Sequence, residues 1–81
     1  MDLNDTIELM SSSDYKDRFK AEYYQTKIRH DKLSKMIVKY EAGTLNFTPD
    51  CPLGVLKDQR DAMNDYLYEL ELRAEIESID L

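Results

Sequence analysis

The stretch Tyr23–Leu33, YYQTKIRHDKL, decides how the chain is read. On a helix it belongs to a seam spaced four, three, four, three: Phe19, Tyr23, Thr26, His30, Leu33, Ile37 and Tyr40. Five of these seven side chains are large and apolar or aromatic. The two in the middle, Thr26 and His30, are a hydroxyl and an imidazole. The period predicts a long amphipathic helix, and the polar centre raises the question of what it serves.

Outward from this seam, the spacing predicts two long helices. The first covers about residues 13–42. Ser12 or Ser13 is placed to cap it, Asp14 and Asp17 suit the positive end of its dipole, and Gly43 offers a left-handed stop. The connector, residues 43–51, is rich in Gly, Thr, Asn and Pro and cannot continue a helix. Its apolar Leu45 and Phe47 are expected to pack over the end of the helix pair. The second helix covers about residues 52–78, with Pro52 in its first turn. Leu56, Gln59, Met63, Tyr66, Leu70 and Arg73 form its first seam, widened by Leu67 and Ala74. Tyr68, Leu72, Ile76 and Ile79 form a second stripe. One partner helix requires one apolar stripe, so a second stripe predicts a second partner. Another copy of the chain fits that place. Residues 1–12 form a separate N-terminal segment, with a short helix begun by Asn4 or Asp5, packed on its own helix pair or on a neighbour's. The predicted fold is therefore all-α: an antiparallel two-helix hairpin with a short N-terminal segment or helix, assembled as a homo-oligomeric helical bundle.

Composition narrows the function. A chain of 81 residues allows one domain, and a core that small stabilises it only marginally. The single cysteine, Cys51, cannot form an internal disulfide, and it reads as a partly buried loop thiol. Oligomerisation is the remaining common source of stability. The net charge of −6 argues against general DNA or RNA binding. No stretch is long and apolar enough for a membrane span, and the first residues lack the pattern of a signal peptide. A free thiol without an export signal predicts a reducing cytoplasm. Charge is uneven: residues 13–41 carry eight Lys or Arg against five Asp or Glu, and residues 53–81 carry three against eight. Charge complementarity between the two helices is the simple expectation.

In an antiparallel pairing the polar centre gathers Thr26, His30, Tyr66, Tyr23 and Arg73, with Tyr24, Lys27 and Arg29 beside them. A structural reading has Thr26 bonded back to its own helix, His30 bonded to a tyrosine hydroxyl or a carbonyl, and Arg73 paired with Glu22 or Glu77 or stacked on Tyr23. Such groups also set the register of packed helices. A functional reading makes Tyr23, Tyr24, Lys27, His30, Tyr66 and Arg73 the lining of a ligand site completed at a subunit boundary. Tyrosine faces stack on bases, and Lys and Arg take phosphate charge. No enzyme is expected. His30 is the only histidine, and the acid pairs Glu69/Glu71 and Glu75/Glu77 point apart. No metal or cofactor motif is present in the sequence, and neither is expected.

The segments DRFKAEYYQTKIRHDKLSKMIVKYEAGTLNF and CPLGVLKDQRDAMNDYLYELELRAEI resemble the small two-helix proteins of crAss-like and other phages of gut bacteria. The pattern falls on Phe19, Glu22, Tyr23, Arg29, Lys32 and Leu33, then on Leu56, Gln59, Met63, Tyr66, Leu67, Leu70 and Arg73, within residues 14–77. Thr26, His30 and the acidic N-terminus depart from it. That family is mostly without an assigned activity. By size and architecture the chain is also similar to phage anti-defence sponges. These are helical oligomers that sequester cyclic nucleotide or cyclic ADP-ribose signals and so block CBASS or Thoeris immunity. The resemblance implies a phage accessory protein in the host cell cytoplasm that binds such a messenger without cleaving it. The alternative is a helical interaction protein that docks a host or phage protein.

Overall fold

The computed structural model describes all 81 residues, and its only regular structure is helical. A 3-10 turn, Leu3–Thr6, leads into the one-turn helix α1, Ile7–Met10. The long helices are α2, Tyr15–Ala42, and α3, Leu53–Glu77. Across α2 and α3, Tyr15 meets Glu77, Tyr23 meets Glu71 and Glu41 meets Lys57, so the two helices run antiparallel.

The ends of the helices follow from local hydrogen bonding. Asp14, and not Ser12 or Ser13, caps α2, because its carboxylate accepts from the Lys16 N–H at 2.9 Å. Ser12 supports this cap: its hydroxyl accepts from the Asp14 N–H and donates to Asp17. At the other end Gly43 takes a φ of 76°. The Gly43 N–H then reaches the Tyr40 carbonyl and the Thr44 N–H reaches the Lys39 carbonyl, which closes a Schellman motif. The N-terminal turn begins at Asp2, two residues before the expected start. Asp2 and Asp5 form a reciprocal capping box that satisfies the free N–H groups there.

Helix α3 ends in the same way but on a serine. Ser78 sits at φ 57°, and the Ile79 N–H returns to the Ala74 carbonyl at 2.8 Å. This turn swings Ile79 back over the pair. Ile79 is buried with Phe19, Leu70 and Ala74 in the main core cluster, and Tyr23 packs against it. Ile79 was expected on the outward stripe with Tyr68, Leu72 and Ile76. It is not there, because helical spacing stops at Glu77.

The seam on α3 is also rotated from its expected phase. Leu67, Leu70 and Ala74 are buried, whereas Gln59, Tyr66 and Arg73 lie outside. The buried line presents aliphatic and small side chains to the core, where Leu70 and Ala74 pack with Phe19. Each buried Phe, Leu or Ile contributes roughly 1.5–3 kcal/mol. Only eight of the 81 residues are buried. The radius of gyration is 14.9 Å, against about 12 Å for a compact chain of this length. Two long helices side by side make a rod with little interior.

The N-terminal segment packs on α2 of its own chain. Thr6 is fully buried at this contact. Its hydroxyl donates to the Leu3 carbonyl at 2.7 Å and accepts from Gln25 at 2.9 Å.

Candidate functional site

The polar centre of the α2 seam is satisfied within its own helix. The Thr26 hydroxyl donates to the Glu22 carbonyl at 2.9 Å. His30 Nδ1 lies 3.0 Å from Asp31 Oδ1, and its Nε2 lies 3.5 Å from the Ser34 hydroxyl. That geometry fits a ring protonated at Nδ1, donating to the carboxylate and accepting from the serine. The bond from His30, and then the nearby Lys27, hold the Asp31 carboxyl below its ordinary value. Lys27 itself pairs with Asp31 at 3.4 Å.

The aromatic and cationic residues expected around this centre are also engaged. The Tyr23 ring meets Tyr24 edge to face, with centroids 5.5 Å apart. Its hydroxyl donates to Glu71 at 3.1 Å. Burial, and then this carboxylate, raise Tyr23 above the ordinary tyrosine value. The Tyr66 hydroxyl donates to Glu22, and this bond raises Tyr66 likewise. Arg73 pairs with Glu77 at 3.2 Å, donates to the Tyr15 hydroxyl and lies over the Phe19 ring at 4.9 Å. Of the partners expected for Arg73, Glu77 is the one it takes, and the ring beneath it is Phe19 and not Tyr23. Tyr23 alone of the six expected ligand residues lines a cavity within the subunit. That cavity also holds Glu71, Glu75 and Asp80, which suits no anion. The structure thus brings Tyr23 to Tyr24 and Lys27 to His30 through Asp31, and it leaves Tyr66 and Arg73 outside both groups.

The expected charge pairing between a basic and an acidic helix does not occur either. The one ion pair between α2 and α3 runs the other way, from Lys57 on α3 to Glu41 on α2 at 3.0 Å. Tyrosine-to-glutamate bonds join the helices instead: Tyr15 to Glu77, Tyr23 to Glu71 and Tyr66 to Glu22. The surplus lysines of α2 are left facing solvent.

Three of these lysines gather at the C-terminal end of α2. Lys32, Lys35 and Lys39 stand three and four residues apart, on one helix face. With Thr44, Asn46 and Phe47 they line a cleft of about 370 Å³, completed by the half-buried Met36 and Leu45. Phe47 was expected to pack over the helix pair, but it is 55% exposed. Leu45 is half-buried and lines the same cleft as the ring. No ion pair occupies Lys32, Lys35 or Lys39. The seam pattern drew attention to the middle of α2 and missed this end. The readable signal was three lysines on one face followed, past Gly43, by an aromatic residue in a polar connector. No group of three or more His, Cys, Asp or Glu side chains is assembled for a metal ion.

A model of the Sequestin family matches residues 13–76. The chain belongs to the Sequestin family. The match runs from just ahead of α2 to one residue before the end of α3, so the Sequestin unit is the helix pair with its connector. The lysine cleft lies wholly inside that unit, and the N-terminal turn and α1 lie outside it. The name Sequestin points to the sequestration of a molecule. Among curated proteins and solved structures, nothing matches the chain. No helix is long and apolar enough to cross a membrane.

Proposed function

We propose that this Sequestin is a phage accessory protein that binds and sequesters a host immune nucleotide second messenger, of the cyclic nucleotide or cyclic ADP-ribose type, without cleaving it. The observation that carries this reading is the Sequestin match across the helix pair. The His30 imidazole is bonded to Asp31 and lies 3.5 Å from the Ser34 hydroxyl, but none of the three lines a cavity where a substrate could sit, which supports binding over catalysis. The place of action is the host cell cytoplasm, where such messengers act.

The protein works as a homo-oligomer. Tyr68, Leu72 and Ile76 form an apolar stripe on α3 that is 44–74% exposed. A rod with eight buried residues gains stability when a second copy covers that stripe. The ligand set Tyr23, Tyr24, Lys27, His30, Tyr66 and Arg73 belongs to this reading where a neighbouring subunit closes what one subunit leaves open. The same stripe favours a second reading, in which it docks a host or phage protein and no small molecule is held.

Native mass spectrometry separates the two. The purified protein is measured alone and with a panel of cyclic dinucleotides and cyclic ADP-ribose. A multimer that gains whole ligand masses, and releases the ligand unaltered on denaturation, supports sequestration. A multimer that stays bare across the panel transfers support to the protein-docking reading. Recovery of a cleaved messenger rejects sequestration without chemistry.

A further inference from the structure

The geometry points to the cleft of Lys32, Lys35, Lys39, Thr44, Asn46 and Phe47 as the binding site for a nucleotide carrying at least two phosphate charges. This deepens the sequestration reading and rests on it for the biological role, while the chemistry rests on the cleft itself.

The lysines are placed at a cost to the fold. Lys35 and Lys39 stand four apart on α2, and Lys32 stands three before Lys35, so each has a like charge as its helical neighbour. Like charges at these spacings destabilise a helix. The chain has 17 acidic residues with which to offset them. None is used: Glu71 and Glu77 of α3 take tyrosine hydroxyls, Asp61 pairs with Arg60, and Asp31, four residues before Lys35, is taken by Lys27 and His30. The negative end of the α2 dipole accounts for Lys39, which lies in the last turn. It does not account for Lys32 or Lys35, because the effect fades within that turn. What remains is a set of three unpaired cations converging on one cleft of a protein whose net charge is −6.

Beside the cations stands an exposed aromatic ring on an anchored loop. The Thr44 and Leu45 N–H groups both return to the Lys39 carbonyl, at 2.9 and 3.2 Å, which ties the start of the connector to the lysine face. Lysine ammonium groups bind phosphate as point charges. An aromatic face stacks on a base of any identity. Asn46 supplies a donor and an acceptor for a base edge or a ribose. A volume of about 370 Å³ falls within the range of small-molecule sites. Cations, stacking face and amide therefore meet the three parts of a nucleotide in one place.

The test uses ADP and inorganic pyrophosphate as probes, followed by amide NMR and calorimetry on the full chain. ADP is expected to shift the amides of residues 32–39 and 44–47. Lys35→Gln with Lys39→Gln is expected to weaken both probes by roughly tenfold or more, and rising salt to weaken them further. Phe47→Ala is expected to weaken ADP by roughly tenfold, as lost stacking does, and to leave pyrophosphate within about twofold. All three side chains lie on the surface, and circular dichroism checks that the variants remain helical. The inference is overturned if neither probe perturbs residues 32–47, or if the double lysine variant binds as the parent does. A messenger from the panel that binds with its shifts elsewhere overturns the cleft and leaves sequestration standing. ADP held in the cleft, with no messenger bound, supports the cleft and removes the messenger reading.

Discussion

The Ile79 N–H donates to the Ala74 carbonyl at 2.8 Å, and both side chains then pack with Phe19 and Leu70. A single left-handed residue, Ser78 at φ 57°, makes that return possible. The last hydrophobic residue of the core is thus delivered by a turn and not by a helix. Ile79→Ala is expected to destabilise the protein by about 2 kcal/mol, the low end for a buried Ile truncation, because the site lies near a chain end. Ser78→Gly is expected to stabilise it by about 0.5–1 kcal/mol, since glycine carries no left-handed penalty. Thermal melts of both variants check this, and opposite shifts are the expected pattern. A neutral Ile79→Ala would show that the turn frays in solution.

The N-terminal segment is held by one buried polar contact. Thr6 accepts from Gln25 at 2.9 Å while donating to Leu3. Thr6→Val keeps the shape, removes both bonds and leaves the Gln25 amide without that acceptor. A loss of about 1–3 kcal/mol is expected for the local contact. Hydrogen exchange should quicken across residues 3–10 and stay unchanged in the middle of α2. Uniform quickening along the whole chain would instead make this contact part of global stability.

In the proposed homo-oligomer the outward stripe of α3 is the contact between copies. Leu72→Glu together with Ile76→Glu places two charges on it and is expected to give monomers in light scattering after size exclusion. Helical content should persist, because both side chains are exposed in the subunit. An unchanged mass would mean that the copies associate through another face.

Two tyrosines couple stability to alkaline pH. Tyr23 and Tyr66 are raised above the ordinary value of 10.0, Tyr23 first by burial and Tyr66 first by its bond to Glu22. A group whose folded pKa is raised contributes stability that is fully present below its unfolded value. That contribution is lost as pH climbs above 10.0 through the folded values. Tyr23→Phe with Tyr66→Phe is expected to cost about 1 kcal/mol at neutral pH, since both bonds are partly exposed. Its melting temperature should then fall less steeply than the parent's above pH 10.0. Parallel alkaline curves for the two proteins would show that neither bond persists in solution.

The sequence by itself determined the two helices and the first reversal. The period of Phe19, Tyr23, Leu33 and Ile37 requires one buried face on α2, and Gly43 is the residue that a left-handed helix end prefers. Thr26 was readable too, because a hydroxyl on a helix can always reach the carbonyl one turn back. Tertiary structure decided the rest, and the physical reason is competition among partners. Ser78 gives no sign of a left-handed turn until Ile79 has a core to enter. Arg73 sat on the expected seam, yet small and aliphatic side chains displaced it, since a guanidinium costs more to bury than Ala74 does. The charge asymmetry predicted lysine–carboxylate pairing, but the helices are joined by tyrosine hydroxyls bonded to Glu71, Glu77 and Glu22. Lys32, Lys35 and Lys39 make no ion pair, and Phe47 stays exposed beside them. The candidate site exists where three lysines and an exposed ring are left together without ion-pair partners, a circumstance that depends on the whole fold and on no single stretch of sequence.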